Sequence, residues 1–169
     1  MTILTQIEKD KFLDEHLHHR LTLLRTLRDR KIMGHNYQGQ ADIYCCVKDS
    51  NLIAVRLLLD FLGLKGKSDG NSYSLESNPR RLGPRFVDDI KIDQFGLQLV
   101  PPADVPEISH SILGGVYIRA DKELAHLTLT FNDKFNQEDA LIEAAKIVEE
   151  LLQKYLYTPL GKQLPAMIR

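Results

Sequence analysis

The segment from about residue 41 to residue 62 constrains the fold more than any other part of this chain. Read at about 100° per residue, its apolar side chains cover well over half of the helical circumference. A helix this apolar is packed on most sides, so the pattern predicts a central helix that ends at Gly63. Asn51 falls inside the apolar arc, and because buried amides need partners, we expect it to bond to a neighbouring helix. The residues that define the arc are Tyr44, Val47, Leu52, Ala54, Val55, Leu58, Leu59, Phe61 and Leu62.

Three further segments show helical periodicity, at about residues 5–30, 105–130 and 136–157. The first has a capping-box pair, Thr5 and Glu8, and Arg20 lies inside its apolar stripe, where it either extends to solvent or meets a carboxylate. The segment at 105–130 contains Gly114-Gly115, which indicates a break or a close contact. The stripe of the first helix is Leu13, Leu17, Leu21, Leu24 and Leu27.

Residues 65–106 have a different character, rich in glycine, proline, serine and asparagine. So long an irregular connection is usually functional or disordered. We interpret it as an ordered excursion, with a weak hairpin signal pairing residues 90–92 with 97–100. The prediction is a single domain over residues 1–169, of the all-α class, built as an antiparallel four-helix bundle with this excursion between its second and third helices.

The composition limits the possible partners. The 169 residues are 43% hydrophobic and 27% charged, with a net charge of −1, so no global positive field is available to hold nucleic acid. The two cysteines, Cys45 and Cys46, are adjacent, which suggests free thiols in a reducing compartment. No apolar run approaches a membrane span, and the first residues lack a signal-peptide pattern. We therefore expect a cytoplasmic protein with no membrane association.

Arg119 and His126 are seven residues apart in the third helical region and fall together on the side opposite its apolar stripe. Their Cα atoms would lie about 10 Å apart along a helix. This face presents a fixed cation beside a titratable ring, so a functional pair is one interpretation. The alternatives are a solvated face with incidental ion pairs and a contact between subunits.

Several runs resemble the HEPN superfamily of helical nucleotide- and RNA-associated domains. They are an arginine followed after six residues by a histidine (Arg119, His126), AVRLLLDFL (54–62), DDI (88–90) and KELAHLT (122–128). The family usually has a polar residue after the arginine, whereas this chain has Ala120. The resemblance implies a HEPN-like bundle, a homodimer, and in active members metal-independent RNA cleavage in which Arg119 holds phosphate and His126 transfers protons.

Other residues are binding candidates around that pair. Lys122 and Glu123 flank the same face, one adding phosphate affinity and the other repelling phosphate or orienting the histidine. Arg80, Arg81 and Arg85 form the one local basic cluster in the sequence and are candidates for RNA contacts.

The remaining polar clusters have plainer interpretations. His16 and His19 are one turn apart, a usable spacing for a metal, but no third ligand is evident in the sequence. Solvated or interface histidines are the simpler interpretation, and we predict no metal site and no cofactor. Asp42, Asp49 and Asp60 with Arg56 are more typical of a solvated face than of a carboxylate site, with Arg20 a candidate partner for one of the three acids.

Two functions stay open, and whether the protein is an enzyme is undecided. One is a metal-independent endoribonuclease of toxin or defence type, acting on RNA and paired with an antitoxin-like partner. The other is a non-catalytic helical module that binds a protein partner or a nucleotide.

Overall fold

The computed structural model describes residues 3–32, 41–70, 72–79, 90–124 and 138–166. Most of these residues are helical, and they form four helices and one two-stranded sheet. Helix α1 consists of the consecutive segments Gln6–Lys11, Phe12–Leu17 and His18–Ile32, and helix α2 is Ala41–Leu62. Helix α3 is Glu107–Arg119 continued by Ala120–Leu124, and helix α4 is Glu138–Leu152 continued by Gln153–Tyr157.

The predicted helices are confirmed within the described residues, with bounds that differ by a few positions. The capping box at the start of α1 is present: the backbone N–H of Thr5 donates to Glu8 Oε2 at 2.8 Å, and the backbone N–H of Glu8 donates to Thr5 Oγ1 at 3.4 Å. The segments Phe12–Leu17, Ala120–Leu124 and Gln153–Tyr157 are wound as π-helix. Helical periodicity predicted none of these three π-helical segments.

Helix α2 lies at the centre of the packing, as its apolar arc predicted. It contacts α1, α3 and α4, and Ala54, Val55, Leu59 and Leu62 are fully buried. Asn51 is also fully buried, and its Nδ2 donates to the backbone carbonyl of Leu24 in α1 at 2.7 Å. The expected bond to a neighbouring helix is thus confirmed.

Helices α1 and α2 run antiparallel. Near the start of α1 the ring of Phe12 stacks on Phe61 at the end of α2, with centroids 5.4 Å apart. Farther along α1, Leu24 meets Asn51 near the middle of α2. This arrangement places the first turns of α1 beside the last turns of α2, where the candidate site lies.

The excursion contains a hairpin that the sequence analysis did not predict. Strand β1 is Leu64–Ser68 and strand β2 is Tyr73–Ser77, paired antiparallel with Gly66 opposite Leu75. Both strands pack on α3. The fold is therefore mostly helical with one small sheet, which is broadly consistent with the predicted all-α class, and the position of this hairpin is what the sequence did not predict.

The prediction of a hairpin between residues 90–92 and 97–100 is wrong. Ile92–Phe95 form a 3-10 turn, which ends at Gly96 in a left-handed conformation with φ 79°. The residues after it up to Val100 have no strand partner among the described residues. Ile92 and Phe95 are nevertheless buried, because the turn directs both side chains into the core.

Candidate functional site

A cavity of about 880 Å³ opens between the first half of α1 and the last turns of α2. Tyr117 of α3, Asn78 directly after β2, and Ile90 and Lys91 complete its wall. Its volume is within the range of roughly 300–1,000 Å³ typical of small-molecule sites. The cavity is therefore large enough to bind a small-molecule ligand.

The π-helical segment of α1 forms one side of this cavity. Four of its six residues line the wall: Phe12, Glu15, His16 and Leu17. A π-helical turn changes which side chains share a helix face, and such turns are frequent at functional sites. The local winding of α1 thus brings aromatic and titratable groups to the same wall.

Asp60 is the central polar group of the cavity. Its Oδ1 accepts two hydrogen bonds, from the Tyr117 hydroxyl at 2.8 Å and from Asn78 Nδ2 at 2.6 Å. Its Oδ2 accepts no hydrogen bond from any residue that the structure describes, and the nearest cationic atom is Arg56 Nε at 4.0 Å. The carboxylate is therefore fixed through one oxygen while the other keeps its acceptor capacity.

Burial raises the pKa of Asp60 above its usual value, against the opposing effects of the Tyr117 hydroxyl, Lys91, Arg56 and Asn78. The pKa of Tyr117 is also raised, first by burial and then by the Asp60 charge. Both shifts follow from placing a carboxyl and a phenol side by side in a partly desolvated wall. Shifted acids in a cleft are a physical indication of a functional site.

Two cations lie next to Asp60. Lys91 Nζ donates to the backbone carbonyls of Asp60 at 2.8 Å and Asn78 at 2.9 Å. Arg56 is half-buried; its Nη2 lies 2.9 Å from Asp121 Oδ1, and its guanidinium carbon lies 5.8 Å from the centre of the Tyr117 ring. These contacts hold positive charge at the same end of the cavity.

Arg20 supplies a third cation from α1. It is half-buried, it lines the cavity, and it makes no hydrogen bond or ion pair with any residue in the described part of the chain. The expected pairing of Arg20 with one of the α2 acids is not found there. Its guanidinium instead contributes to the cavity wall.

Aromatic rings form the other end of the cavity. Phe12 stacks on Phe61, and the ring of His16 lies 5.9 Å from that of Phe12. Phe61 is buried, whereas Phe12 is half-buried and His16 is exposed. A planar ligand group can therefore contact Phe12 and His16, while Phe61 packs against Phe12.

The structure describes only part of the predicted ribonuclease site. Arg119 is half-buried in the last turn of α3, and its charge together with burial lowers the pKa of Lys48 on α2. Arg119 does not line the cavity. Lys122 is exposed in the π-helical turn that follows. These two residues thus occupy a surface separate from the Asp60 cavity.

The other predicted site residues fall outside the described residues. This applies to His126 and to the basic cluster of Arg80, Arg81 and Arg85. Glu123 belongs to the π-helical turn, but its side chain lies outside what the structure describes. The pairing of Arg119 with His126 and the RNA-binding role of the cluster therefore stay predictions.

His16 and His19 are both exposed and both line the cavity. Within the described ranges, no group of three histidine, cysteine or acidic side chains is placed to hold a metal ion. These histidines therefore gain no third ligand there, and they contribute titratable rings to the cavity instead.

Some of the cavity residues were predicted from the sequence to have another role. Asp60 and Arg56 were interpreted as a solvated face, whereas both are half-buried in the wall. Tyr117 of α3 is buried. The missed signal is its hydroxyl, since a buried tyrosine usually needs a hydrogen-bond partner. Lys91 and Asn78 were not singled out, because their contacts depend on how the excursion folds.

No family model, curated protein or solved structure matches this chain. In the part of the chain that the structure describes, no helix is both long enough and apolar enough to cross a bilayer.

Proposed function

We propose that this protein is a helical module that binds a nucleotide in the cavity between α1 and α2. Arg20 carries this proposal, because this half-buried residue lines the cavity and makes no hydrogen bond or ion pair with a described residue. A guanidinium offers a planar set of donors that matches a phosphate. A bound phosphate would supply the counter-charge that the described residues do not provide.

The charges of the wall support an anionic ligand. The charged residues of the wall include the cations Arg20, Arg56 and Lys91 and the carboxylates Glu15 and Asp60, and Arg56 is also paired with Asp121. Arg20 is thus a cation of the wall with no carboxylate partner among the described residues. A positive group in a cleft raises the local concentration of ions of opposite sign, so Arg20 favours a phosphate-bearing ligand.

The aromatic end supports a planar group on the same ligand. A nucleobase stacked on Phe12 and His16 would place the rest of the molecule along the wall, toward Arg56 and Arg20. Stacking of a base on an aromatic side chain contributes about 1–3 kcal/mol. A nucleotide combines both features, whereas inorganic phosphate has only one of them.

The proposal includes the finer assignment of the fold, an antiparallel four-helix bundle of HEPN type. The antiparallel course of α1 and α2 and the contacts of α2 with the other three helices support the bundle. The homodimer implied by the resemblance and the cytoplasmic location expected from the composition remain predictions.

Thermal unfolding and titration calorimetry with the four ribonucleoside 5′-monophosphates test the binding proposal. A ligand at one hundred times its Kd stabilises the folded state by about 2.7 kcal/mol, which raises Tm by roughly 5–10 °C for a chain of this size. We expect such a rise with at least one nucleotide, and a smaller effect from its nucleoside because the phosphate is missing.

Arg20→Gln should abolish that rise in Tm. Lys146→Gln is the matched control, since it removes one positive charge from an exposed position on α4 outside the cavity. Absence of binding by all four nucleotides, or unchanged binding by Arg20→Gln, would contradict the proposal.

A further inference from the structure

We propose that Asp60 accepts a hydrogen bond from a ribose hydroxyl of the bound nucleotide, so that the cavity selects ribonucleotides over deoxyribonucleotides. This inference rests on the proposed function and assigns the part of the ligand that Asp60 contacts. It makes Asp60 a specificity-determining residue.

The hydrogen bonds of Asp60 leave one oxygen available. Tyr117 and Asn78 both donate to Oδ1, at 2.8 and 2.6 Å, which fixes the plane of the carboxylate. Oδ2 has no donor among the described residues, although Asp60 lines the cavity. A fixed acceptor without a donor favours a ligand that brings one.

The cations around Asp60 indicate which kind of donor fits. Arg56 Nε lies 4.0 Å from Oδ2, and Lys91 Nζ donates to the backbone carbonyl of the same residue. A positively charged ligand group would be repelled by both cations, and a phosphate would be repelled by the carboxylate itself. A neutral hydroxyl is the donor that avoids both repulsions.

The order of groups along the cavity matches the order of groups in a nucleotide. The Phe12 ring stacks on Phe61, which directly follows Asp60 at the end of α2. Arg56 lies one helical turn before Asp60 and farther from the rings. Arg20 follows Phe12 along α1, on the side toward Arg56, because α1 and α2 run antiparallel. The succession of rings, acceptor and cations corresponds to base, sugar and phosphate.

The test compares each ribonucleoside 5′-monophosphate with its 2′-deoxy and 3′-deoxy counterparts by titration calorimetry on the full chain. We expect the wild-type protein to bind at least one deoxy form about tenfold more weakly, as is usual when a charged acceptor loses its donor. The deoxy form that loses affinity identifies the hydroxyl.

Asp60→Asn should remove this discrimination. The substituted side chain keeps an acceptor for Tyr117 and Asn78 but presents an N–H donor where Oδ2 was. Asp49→Asn, at an exposed position of α2 outside the cavity, is the control and should discriminate like the wild type.

The two proposals fail in distinguishable ways. Equal affinity of the wild type for ribo- and both deoxy forms would overturn the role of Asp60 while leaving nucleotide binding intact. Absence of any nucleotide binding would overturn the proposed function and this inference with it. Because the deoxy comparison uses only the wild-type chain, the inference stays falsifiable even if Asp60→Asn does not fold.

Discussion

Asp60 combines two properties that rarely occur together in a structural carboxylate. It is held through Oδ1 by two donors, and burial still raises its pKa. The desolvation that raises the pKa therefore outweighs the hydrogen bonds and the nearby cations. Ionisation of Asp60 therefore costs more free energy in the folded chain than in the unfolded chain. This difference links the stability of the fold to pH.

The sign of this linkage gives a prediction for Asp60→Asn. Because the folded-state pKa of Asp60 is raised, its contribution to stability is fully present below the ordinary value of 3.8 and is lost as pH rises through the folded-state pKa. Between pH 3.8 and the folded-state pKa, Asp60 therefore makes the wild type lose stability relative to Asp60→Asn. The free energy of unfolding of the wild type minus that of Asp60→Asn should decrease as pH rises.

Urea unfolding at a series of pH values upward from about 4 measures this difference. Asp49→Asn serves as the control, because Asp49 is exposed and has no part in the cavity. Parallel pH dependences in the wild type and Asp60→Asn would show that the folded-state pKa of Asp60 is not raised.

The role of Asn51 could be predicted from the sequence, whereas the role of Asp60 could not. Asn51 could be predicted, because an amide in an apolar arc has to bond to something close by. Asp60 could not be told from its neighbours, since a carboxylate on the polar strip of α2 has the same helical angle whether it faces water or a cavity. What distinguishes it is Asn78 and Lys91, which reach it only because the excursion folds back.

The contact between α3 and the hairpin depends on two glycines. A Cβ at Gly114 would lie 2.5 Å from the backbone oxygen of Ser74 in β2, and a Cβ at Gly66 would lie 2.7 Å from the backbone oxygen of Gly114. The close contact is one of the two outcomes that the glycine pair in the sequence indicated. The sheet therefore lies on α3 backbone to backbone at this point.

Gly114→Ala should destabilise the protein. Alanine is better than glycine in a helix by about 1 kcal/mol, but overpacking against backbone atoms that cannot rotate away costs about 1–3 kcal/mol. We expect a net loss of up to about 2 kcal/mol in the free energy of unfolding, since the overpacking exceeds the gain in helix propensity.

The measurement is urea unfolding with Ser111→Ala as the control, an exposed substitution one turn earlier on α3. A Gly114→Ala protein as stable as the wild type would mean that the sheet can move away from α3 at little cost.

The four helices could be predicted because each has an apolar stripe with a period that only a helix can bury. The hairpin lacks such a signal. Leu64 and Leu75 are its only fully apolar aliphatic residues, and the face of β1 toward α3 includes Gly66, which has no side chain to form a pattern. Its stability comes from close backbone approach, and that is visible only once α3 is in place.

At the scale of the whole molecule, two functional hypotheses use different surfaces. The nucleotide hypothesis uses the cavity between α1 and α2, whereas the endoribonuclease hypothesis uses Arg119 at the end of α3 together with His126. Burial, and after it the charge of Arg119, lowers the pKa of Lys48, and neither residue lines the cavity. The two hypotheses can therefore be tested by independent variants.

Incubation of the purified protein with labelled RNA in EDTA separates them. The endoribonuclease hypothesis requires cleavage that His126→Ala abolishes without loss of folding, with His18→Ala as the control histidine. The proposed nucleotide-binding module predicts intact RNA with all three proteins. Cleavage that survives in His126→Ala would contradict both the catalytic pair and the purely binding role.

The hairpin has a consequence for the accuracy of ligand selection. Asn78 directly follows β2 and supplies one of the two donors that orient the Asp60 carboxylate. Displacement of the sheet would therefore move the Asn78 donor that orients the carboxylate, although none of the described hairpin residues before Asn78 lines the cavity. A larger residue at position 66 or 114 should therefore weaken the proposed discrimination between ribose and deoxyribose. The substitution would displace the sheet and with it Asn78, so that Asp60 Oδ2 would be held less firmly.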